Sequence, residues 1–158
     1  MEIKQRQTAA FALGFVIDAF IVDQISKYLI PETPIPIVEG VSVFSLRLAH
    51  SLNPHFAFSV SAPQWLVMAV VLVVLAAVMH RLWQEIRAGA RSSYGLALVL
   101  GGAFGNIVDR FIHGGVRDFI EVGTPWTGIG SFNLADVCIV VGILLWFYLS
   151  RSASTQEA

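Results

Sequence analysis

Four apolar stretches, each close to the length of a membrane-spanning helix, take up much of this chain of 158 residues. They cover residues 11–30, 63–82, 94–112 and 133–150. A helix of about 20 apolar residues crosses the ~30 Å of hydrocarbon in a bilayer. Hydrophobic residues make up 56% of the chain and charged residues only 13%, about half the charged share of a soluble domain. The sequence therefore predicts a mainly α membrane protein, with four transmembrane helices in a single domain, 1–158.

The basic residues predict how these helices are oriented. They cluster before the first segment, around the connection of the second and third, and after the fourth (Lys4, Arg6, Arg81, Arg87, Arg91 and Arg151). The two longer loops, 31–62 and 113–132, carry one arginine each. Short loops rich in lysine and arginine stay on the cytoplasmic side of a membrane. We therefore expect both termini in the cytoplasm and the two longer loops at the outer face.

The two outer loops differ in their patterns. In the first, Phe44, Leu46 and Leu48 alternate with less apolar residues, which is the period of a half-buried β-strand. We expect a small extracytoplasmic β-sheet, or cradle, within residues 31–62. The second loop is rich in glycine and contains Pro125 and Trp126. It is interpreted either as a mobile periplasmic flap or as an interfacial turn, and the sequence leaves both open.

Charged residues inside the first apolar segment need an explanation. Asp23 and Lys27 are four residues apart with the acid first, the favourable order for an ion pair on one helix face. We interpret them as a structural pair that fixes the first helix against its neighbours. Asp18 is interpreted as a second buried acid, and no role is assigned to it.

Two aspartates at the predicted outer face are the main candidates for chemistry. Asp118 lies in the second outer loop and Asp136 begins the fourth apolar segment, so both belong to the same membrane face. Ionisable groups at the edge of hydrocarbon are costly, and a functional role is the default expectation for them. Two carboxylates that meet can share one proton and activate water. The two residues are therefore predicted to form a catalytic pair.

The third apolar segment ends in a string rich in glycine and polar residues. Gly101 and Gly105 are four residues apart and leave one helix face bare, so that another helix can approach closely. Asn106, Asp109 and Arg110 share one side of the helix by their spacing. A packing seam capped by a surface ion pair is one interpretation of this string, and a functional site is the other. An unsatisfied amide in hydrocarbon is expensive, which favours the second.

Asn133 and Asp136 also have two interpretations. Asn133 can cap the fourth helix, and the helix dipole then stabilises Asp136 in its first turn as an anion. The same geometry would hold one member of a catalytic pair ionised. Asp118 is flanked by Phe119 and Ile120, and partial desolvation would favour its protonated form. The proton belongs to the coupled pair, and the residues alone do not assign it.

Several other classes of protein are disfavoured. A net charge of −1 gives no basic field for nucleic acid. The four histidines have no metal-ligand spacing, so we expect no metal site. The single cysteine, Cys138, lies in an apolar run and excludes an internal disulfide.

Four strings occur in a fixed order and span nearly the whole chain. They are Asp23-Gln24-Ile25-Ser26-Lys27, Gly101-Gly102-Ala103-Phe104-Gly105-Asn106-Ile107-Val108-Asp109-Arg110, Val116-Arg117-Asp118-Phe119 and Phe132-Asn133-Leu134-Ala135-Asp136. With these strings the chain resembles the lipoprotein signal peptidase family, the membrane aspartyl peptidases also called signal peptidase II. The resemblance implies a catalytic dyad of Asp118 and Asp136. It also implies that substrate or dyad is positioned by Asn53, Asn106, Arg110 and Asn133, with Asp23, Lys27 and Asp109 as structural polar residues.

The same resemblance implies the fold, the substrate and the location. Such a peptidase has four transmembrane helices, a small β-cradle and a periplasmic flap. It cuts lipid-modified prolipoproteins before a cysteine that bears diacylglyceryl, it needs no cofactor, and globomycin inhibits it. We expect a monomer in the bacterial inner membrane, in contact with membrane lipids, with its active site at the outer face.

One string departs from the family pattern. The family has an Asn-x-Gly-Ala-x-Phe-like string in the first outer loop, and here the residues are Asn53-Pro54-His55-Phe56-Ala57-Phe58. Asn53 and Phe58 fit, but His55 and Phe56 replace small residues that allow close backbone approach. A narrower groove and a changed substrate range are expected. A noncatalytic relative that binds lipidated peptides is one alternative. A proton translocator is less favoured, because its polar residues would have to span the bilayer depth.

Overall fold

The computed structural model describes residues 2–31, 33–41, 44–54, 63–124 and 128–156. The elements within these ranges follow the order α1, β1, β2, α2, α3, β3, β4, α4. The helices are α1 (Ile3–Leu29), α2 (Gln64–Arg87), α3 (Ser93–His113) and α4 (Leu134–Gln156), and the strands are β1 (Ile35–Val41), β2 (Phe44–Asn53), β3 (Val116–Thr124) and β4 (Gly128–Phe132). All four helices are long and apolar enough to cross a membrane, by length and composition.

The helices are longer than the apolar segments that predicted them. α1 begins at Ile3 rather than at residue 11, and its polar first turns carry Lys4 and Arg6. The backbone N–H of Glu2 donates to Oε1 of Gln5 (3.2 Å), which satisfies one donor at this helix start. An apolar run marks the part of a helix that enters hydrocarbon, whereas capping and polar turns set where the helix ends.

The predicted sheet is confirmed, but it draws strands from both long loops. The four strands form one antiparallel sheet in the order β1-β2-β3-β4. In its register, Leu48 of β2 pairs with Ile120 of β3, and Ile120 pairs with Phe132 of β4. The second loop, for which the sequence leaves a flap or an interfacial turn open, contributes β3 and β4, and these strands pair as a hairpin that completes the sheet. The residues between its strands, including Pro125 and Trp126, lie outside the described ranges.

Connectivity places the start of α1 and the end of α4 at the same end of the helix bundle. α1 leads into the sheet through β1, α2 leads away from it, α3 returns to β3, and α4 leads away again. We call the end next to the sheet the sheet end and the other the terminal end. Polar residues predicted to share one membrane face therefore meet at the sheet end.

α3 is the most buried of the four helices. Gly101, a member of the predicted Gly101–Gly105 face, contacts α1 closely, and Gly102, which was not predicted, contacts α4. A Cβ added to Gly101 would lie 2.5 Å from the carbonyl oxygen of Val16 in α1. A Cβ added to Gly102 would lie 2.5 Å from the carbonyl oxygen of Ala135 in α4. Any side chain at these positions would push the neighbouring backbone away, so glycine allows α3 to contact both helices closely.

A compact polar cluster ties three helices together at the terminal end. Glu85 of α2 is buried and accepts hydrogen bonds from Oγ of Ser92 (2.7 Å) and Nε1 of Trp146 (3.4 Å). Arg81 forms an ion pair with the same carboxylate at 2.7 Å. Because Ser92 immediately precedes α3 and Trp146 belongs to α4, this one acid links α2, α3 and α4.

Candidate active site

The structure brings the sequence-predicted site residues together at the sheet end. They come from α1, β2, α3, β3 and the start of α4 (Asp23, Lys27, Asn53, Asn106, Asp109, Arg110, Asp118, Asn133 and Asp136). A cavity of about 390 Å³ opens beside them. Its polar wall is formed mainly by Asn53, Asn106, Arg110, Asp118 and Asp136. Both candidate catalytic acids therefore line one cavity.

Asp136 is positioned by the first turn of α4. The backbone N–H of Asp136 donates to Oδ1 of Asn133 (3.1 Å), and the backbone N–H of Asn133 donates to Oδ2 of Asp136 (3.2 Å). These reciprocal bonds make a capping box, so the predicted cap by Asn133 is confirmed. The arrangement fixes the Asp136 carboxylate at the start of a helix, where the backbone dipoles favour negative charge.

Asp118 lies in β3, where it pairs with Ser51 of β2, and it is almost completely buried. Oδ1 of Asp118 accepts from Nδ2 of Asn133 (2.7 Å) and its Oδ2 accepts from Nδ2 of Asn53 (3.1 Å). Burial raises the pKa of Asp118, and the charge of Asp136 raises it further, while the two amide hydrogen bonds lower it in part. Desolvation is the dominant cause, so the protonated form of Asp118 is favoured.

Two asparagines join the acids to each other. Nδ2 of Asn106 donates to Oδ1 of Asp136 (2.9 Å). Nδ2 of Asn133 donates both to Asp118 and to Oδ1 of Asn106 (3.1 Å). Amides therefore satisfy both carboxylates with neutral donors, and each aspartate is one hydrogen bond from Asn133.

A buried ionic cluster supports this pair from the side of α1. Nζ of Lys27 lies 2.7 Å from Oδ2 of Asp23, which matches the predicted helical pair. The same Nζ lies 3.0 Å from Oδ2 of Asp109 and 3.0 Å from Oδ1 of Asn106. The side chains of Lys27, Asp23 and Asp109 are fully buried. The cluster fixes α1 against α3, and Asn106 connects it to Asp136.

One alternative interpretation of Asp109 is wrong. A surface ion pair with Arg110 would leave Asp109 exposed, but its carboxylate is fully buried and pairs with Lys27 and with Nη2 of Arg117 (2.7 Å). Arg110, the next residue along α3, turns to the cavity, and its Nη1 donates to the carbonyl oxygen of Asn106 (3.2 Å). Adjacent residues of a helix point about 100° apart, which separates the two side chains.

The expectation of a buried Asp18 is also wrong. Asp18 is exposed on the surface of α1, whereas Asp23 is fully buried. Five residues turn a helix by about 500°, so these two side chains point roughly 140° apart. A helix that directs Asp23 at α3 therefore directs Asp18 away from the bundle.

Sequence reasoning missed the role of Arg117 and Gln24. Arg117 donates its backbone N–H (3.0 Å) and its guanidinium to Asp109, and its Nη2 also donates to Oε1 of Gln24 (3.0 Å). The available signal was that Arg117 is the single basic residue of the second long loop and sits beside Asp118. These contacts anchor β3 to α3 and α1, and so they fix the position of Asp118.

Apart from Ser131, the rest of the cavity wall is apolar and runs along the helices. α2 contributes Val70, Val74 and Val78, and α3 contributes residues as far from Arg110 as Val99. Eleven residues of helix separate Arg110 from Val99, which corresponds to about 16 Å along the axis. The cavity thus joins a polar mouth at the two aspartates to an apolar groove within the helical bundle.

The sequence of this chain is similar to that of a known protein family. A family model described as signal peptidase (SPase) II matches residues 15–151. Proteins named lipoprotein signal peptidase from Brucella ovis, Brucella canis and Brucella abortus are 35% identical over 143 residues, 87% of this chain and 88% of each relative.

Two solved structures share the fold. Both are described as a bacterial membrane enzyme determined by the in meso method, at 2.3 and 1.9 Å resolution. The first has a TM-score of 0.68 at 21% identity and covers 93% of this chain and 91% of its own. The second has a TM-score of 0.61 at 21% identity, with 87% and 90% covered. At this identity the likeness concerns the fold.

Proposed function

Because the chain belongs to the signal peptidase II family, which removes signal peptides from prolipoproteins, we propose that it does so as an aspartic endopeptidase with Asp118 and Asp136 as its catalytic dyad. One observation carries this proposal: a single residue, Asn133, donates to both carboxylates at the mouth of a cavity, with its side-chain Nδ2 to Asp118 and its backbone N–H to Asp136. The charge of Asp136 contributes to the raised pKa of Asp118, so the pair favours a shared proton over double ionisation.

The two acids take different roles in this proposal. Asp136 is the general base, because an amide, a backbone N–H and a helix start all stabilise its anion. Asp118 is the general acid, because burial favours its protonated form. Because the two environments differ, Asp118 holds the shared proton and Asp136 is the ionised member of the pair.

The reaction then follows from the positions of the protons. Asp136 takes a proton from a water molecule whose oxygen attacks the scissile carbonyl carbon, while Asp118 gives its proton to the carbonyl oxygen. In the second half, Asp136 passes the acquired proton to the leaving nitrogen and the C–N bond breaks. Asp118 recovers a proton from the hydroxyl group as the new carboxyl group forms. Both acids end in their starting states, and one water is consumed.

The shape of the cavity supports a lipidated substrate. The apolar groove along α2 and α3 suits an acyl chain, whereas the polar mouth suits a peptide. We propose that a diacylglyceryl cysteine places its lipid in the groove, so that the preceding peptide bond reaches the dyad. Arg110 and Asn53 line the mouth and would position the peptide or the ester groups.

The four helices and the family together make this a bacterial membrane protein. We further propose that both termini are cytoplasmic and that the sheet end lies at the outer face, as the distribution of lysine and arginine predicts. Membrane lipids are then its immediate surroundings. We still predict that the protein is a monomer and that it needs no cofactor.

The effect of the altered first-loop string also stays a prediction, because His55, Phe56 and Phe58 lie outside the described residues. A changed substrate range remains the expected consequence. The alternatives, a relative that binds lipidated peptides without cutting them and a proton translocator, are not favoured, since the family match points to a peptidase.

Purified protein incubated with a synthetic precursor tests the proposal. We expect cleavage on the N-terminal side of the modified cysteine when it carries diacylglyceryl, inhibition by globomycin, and no cleavage of the matched precursor with an unmodified cysteine. Mass spectrometry identifies the products, and in H₂¹⁸O the released signal peptide should gain one ¹⁸O in its new carboxylate. Binding of the lipidated precursor without any product would contradict the proposal.

A further inference from the structure

We propose that Lys27 is a positioning residue of this reaction: its ammonium holds the Asn106 amide with Nδ2 toward Asp136, and so keeps Asp136 as the ionised member of the pair. Lys27 can act in this way only if Asp118 and Asp136 perform the proposed chemistry. Its contribution goes beyond neutralising the acids beside it, as its hydrogen bond to Asn106 indicates.

The Lys27 ammonium makes three polar contacts. It donates hydrogen bonds to Oδ2 of Asp23 (2.7 Å) and to Oδ1 of Asn106 (3.0 Å), and it forms an ion pair with Oδ2 of Asp109 at 3.0 Å. An ammonium group can donate hydrogen bonds and accepts none. A fully buried lysine whose only task was to pair with two carboxylates would not need the bond to Asn106. This bond connects the ionic cluster to the dyad.

The contact with Lys27 fixes which end of the Asn106 amide faces Asp136. Oδ1 of Asn106 accepts from Lys27 and from Nδ2 of Asn133 (3.1 Å), while Nδ2 donates to Oδ1 of Asp136 (2.9 Å). A flipped amide would turn its NH₂ toward the ammonium and its oxygen toward the carboxylate. Both contacts would then be repulsive, because the ammonium has no acceptor and the carboxylate anion has no donor. Charges at both ends of the amide therefore select one orientation.

Charge balance allows this role to be separated from simple neutralisation. The buried cluster holds two cations and two anions (Lys27, Arg117, Asp23 and Asp109). On the cavity side, Asp136 is faced by Asp118 of β3 and by Arg110 of α3. Removing Lys27 and the charge of Asp23 together leaves Asp109 paired with Arg117, and the cluster stays neutral.

The decisive variant is therefore the double substitution Lys27→Met with Asp23→Asn. Asn at position 23 keeps an oxygen for the backbone N–H of Ala135, which now donates to Oδ1 of Asp23 at 2.9 Å. No buried charge is left unpaired, but Asn106 loses its cationic partner. The matched control removes another ion pair with the same i, i+4 spacing, by Arg81→Met with Glu85→Gln at the terminal end.

We expect the Lys27→Met/Asp23→Asn variant to insert and to bind the lipidated precursor with nearly unchanged KM, but with kcat reduced about tenfold. The acidic limb of its pH profile should move up by about one pH unit, because the ionised form of Asp136 loses the support of a correctly oriented donor. The control variant should keep the wild-type pH profile. A change in fold stability alone would not move this limb.

Two results would overturn the proposal. A charge-balanced variant with the kcat and acidic limb of the wild type would reduce Lys27 to a neutralising role. A charge-balanced variant that does not accumulate in the membrane would show that Lys27 is needed for folding itself. Either result is distinct from a failure of the proposed function, in which the wild-type protein would not cleave the lipidated precursor at all.

Discussion

The two ends of the helical bundle both bury acids, and they satisfy them in different ways. At the terminal end, Glu85 has one cation, Arg81, and two neutral donors. At the sheet end, four acids share a small volume, and two cations, Lys27 and Arg117, pair with the first two of them (Asp23, Asp109, Asp118 and Asp136). The remaining acids, Asp118 and Asp136, receive hydrogen bonds from amides.

In the proposed mechanism, this difference separates structural acids from reactive ones. Breaking a buried pair of a carboxylate and a cation strongly destabilises a protein, because it leaves a buried charge without a partner. Neutral amides can satisfy the hydrogen bonds of a carboxyl group without fixing it in its ionised form. We therefore propose that the amide-bonded acids of this chain transfer protons, whereas the cation-bonded acids hold the surrounding elements in place.

The largest expected effect comes from the amide-bonded acids. We expect Asp118→Asn and Asp136→Asn each to lower kcat/KM for the lipidated precursor by about 10³-fold or more, because each removes a proton-transfer group. Glu85→Gln, the matched change at the terminal end, should keep most of the activity. Cleavage rates of the three purified variants, compared with that of the wild type, check the contrast. Appreciable turnover by either dyad variant would contradict the assignment.

For fold stability, we expect the cation-bonded acids to have the larger effect and the amide-bonded acids the smaller one. Asp109→Asn leaves Lys27 and Arg117 without a common anion, and we expect the free energy of unfolding to fall by about 3–5 kcal/mol. Thermal unfolding in detergent at neutral pH measures this loss. A melting temperature equal to that of the wild type would mean that the buried pairs contribute little.

Asp118→Asn should instead stabilise the protein at neutral pH. The pKa of Asp118 is raised in the folded state, so its contribution to stability is present at low pH and is lost as the pH rises through that value. Asparagine does not carry the cost of a buried anion. The melting temperature of the variant should therefore exceed that of the wild type at neutral pH, and the difference should shrink on acidification. A variant that is less stable at neutral pH would contradict the direction of this shift.

The terminal-end cluster should affect stability without affecting chemistry. Glu85→Gln removes the anion that pairs with Arg81, which is itself about half exposed. We expect a loss of roughly 1–2 kcal/mol, because the hydrogen-bonding groups of Ser92 and Trp146 keep a partner. Thermal unfolding together with the pH profile of cleavage checks this expectation. A displaced pH profile would show that the two ends of the bundle are coupled.

The smallest expected effect concerns Asn53 and the alkaline side of the profile. Its hydrogen bond lowers the pKa of Asp118 in part, so Asn53→Ala should raise that pKa further. Because Asp118 must hold its proton, the alkaline limb of kcat/KM should move to higher pH by up to about one unit. Rates measured across this limb provide the check, and a shift toward lower pH would be the wrong sign.

Periodicity and spacing predicted the helices, the Asn133 cap and the Asp23–Lys27 pair, because each depends on residues close together in the chain. They did not predict the hairpin of β3 and β4. The apolar residues of β3 (Phe119, Ile120 and Val122) belong to a loop whose many glycines suggested a turn. Pairing between strands of two separate loops is a long-range contact, and local sequence patterns do not predict it.

The partners of the charged residues were equally inaccessible. Asp109 meets Arg117, eight residues further along and across a turn, rather than its neighbour Arg110. Asp18 looked like a buried acid because its segment is apolar, yet burial depends on which helix face meets α3. Composition shows that a segment is apolar, but which face of its helix is buried depends on how the whole bundle packs.

The most direct test of a dyad that shares one proton is the full pH profile of kcat/KM for the diacylglyceryl-modified precursor. The shared-proton mechanism predicts a bell-shaped profile, with the acidic limb set by the ionisation of the pair to one negative charge and the alkaline limb by loss of the proton from Asp118. A profile with a single limb, or a bell that persists in the Asp136→Asn variant, would contradict it.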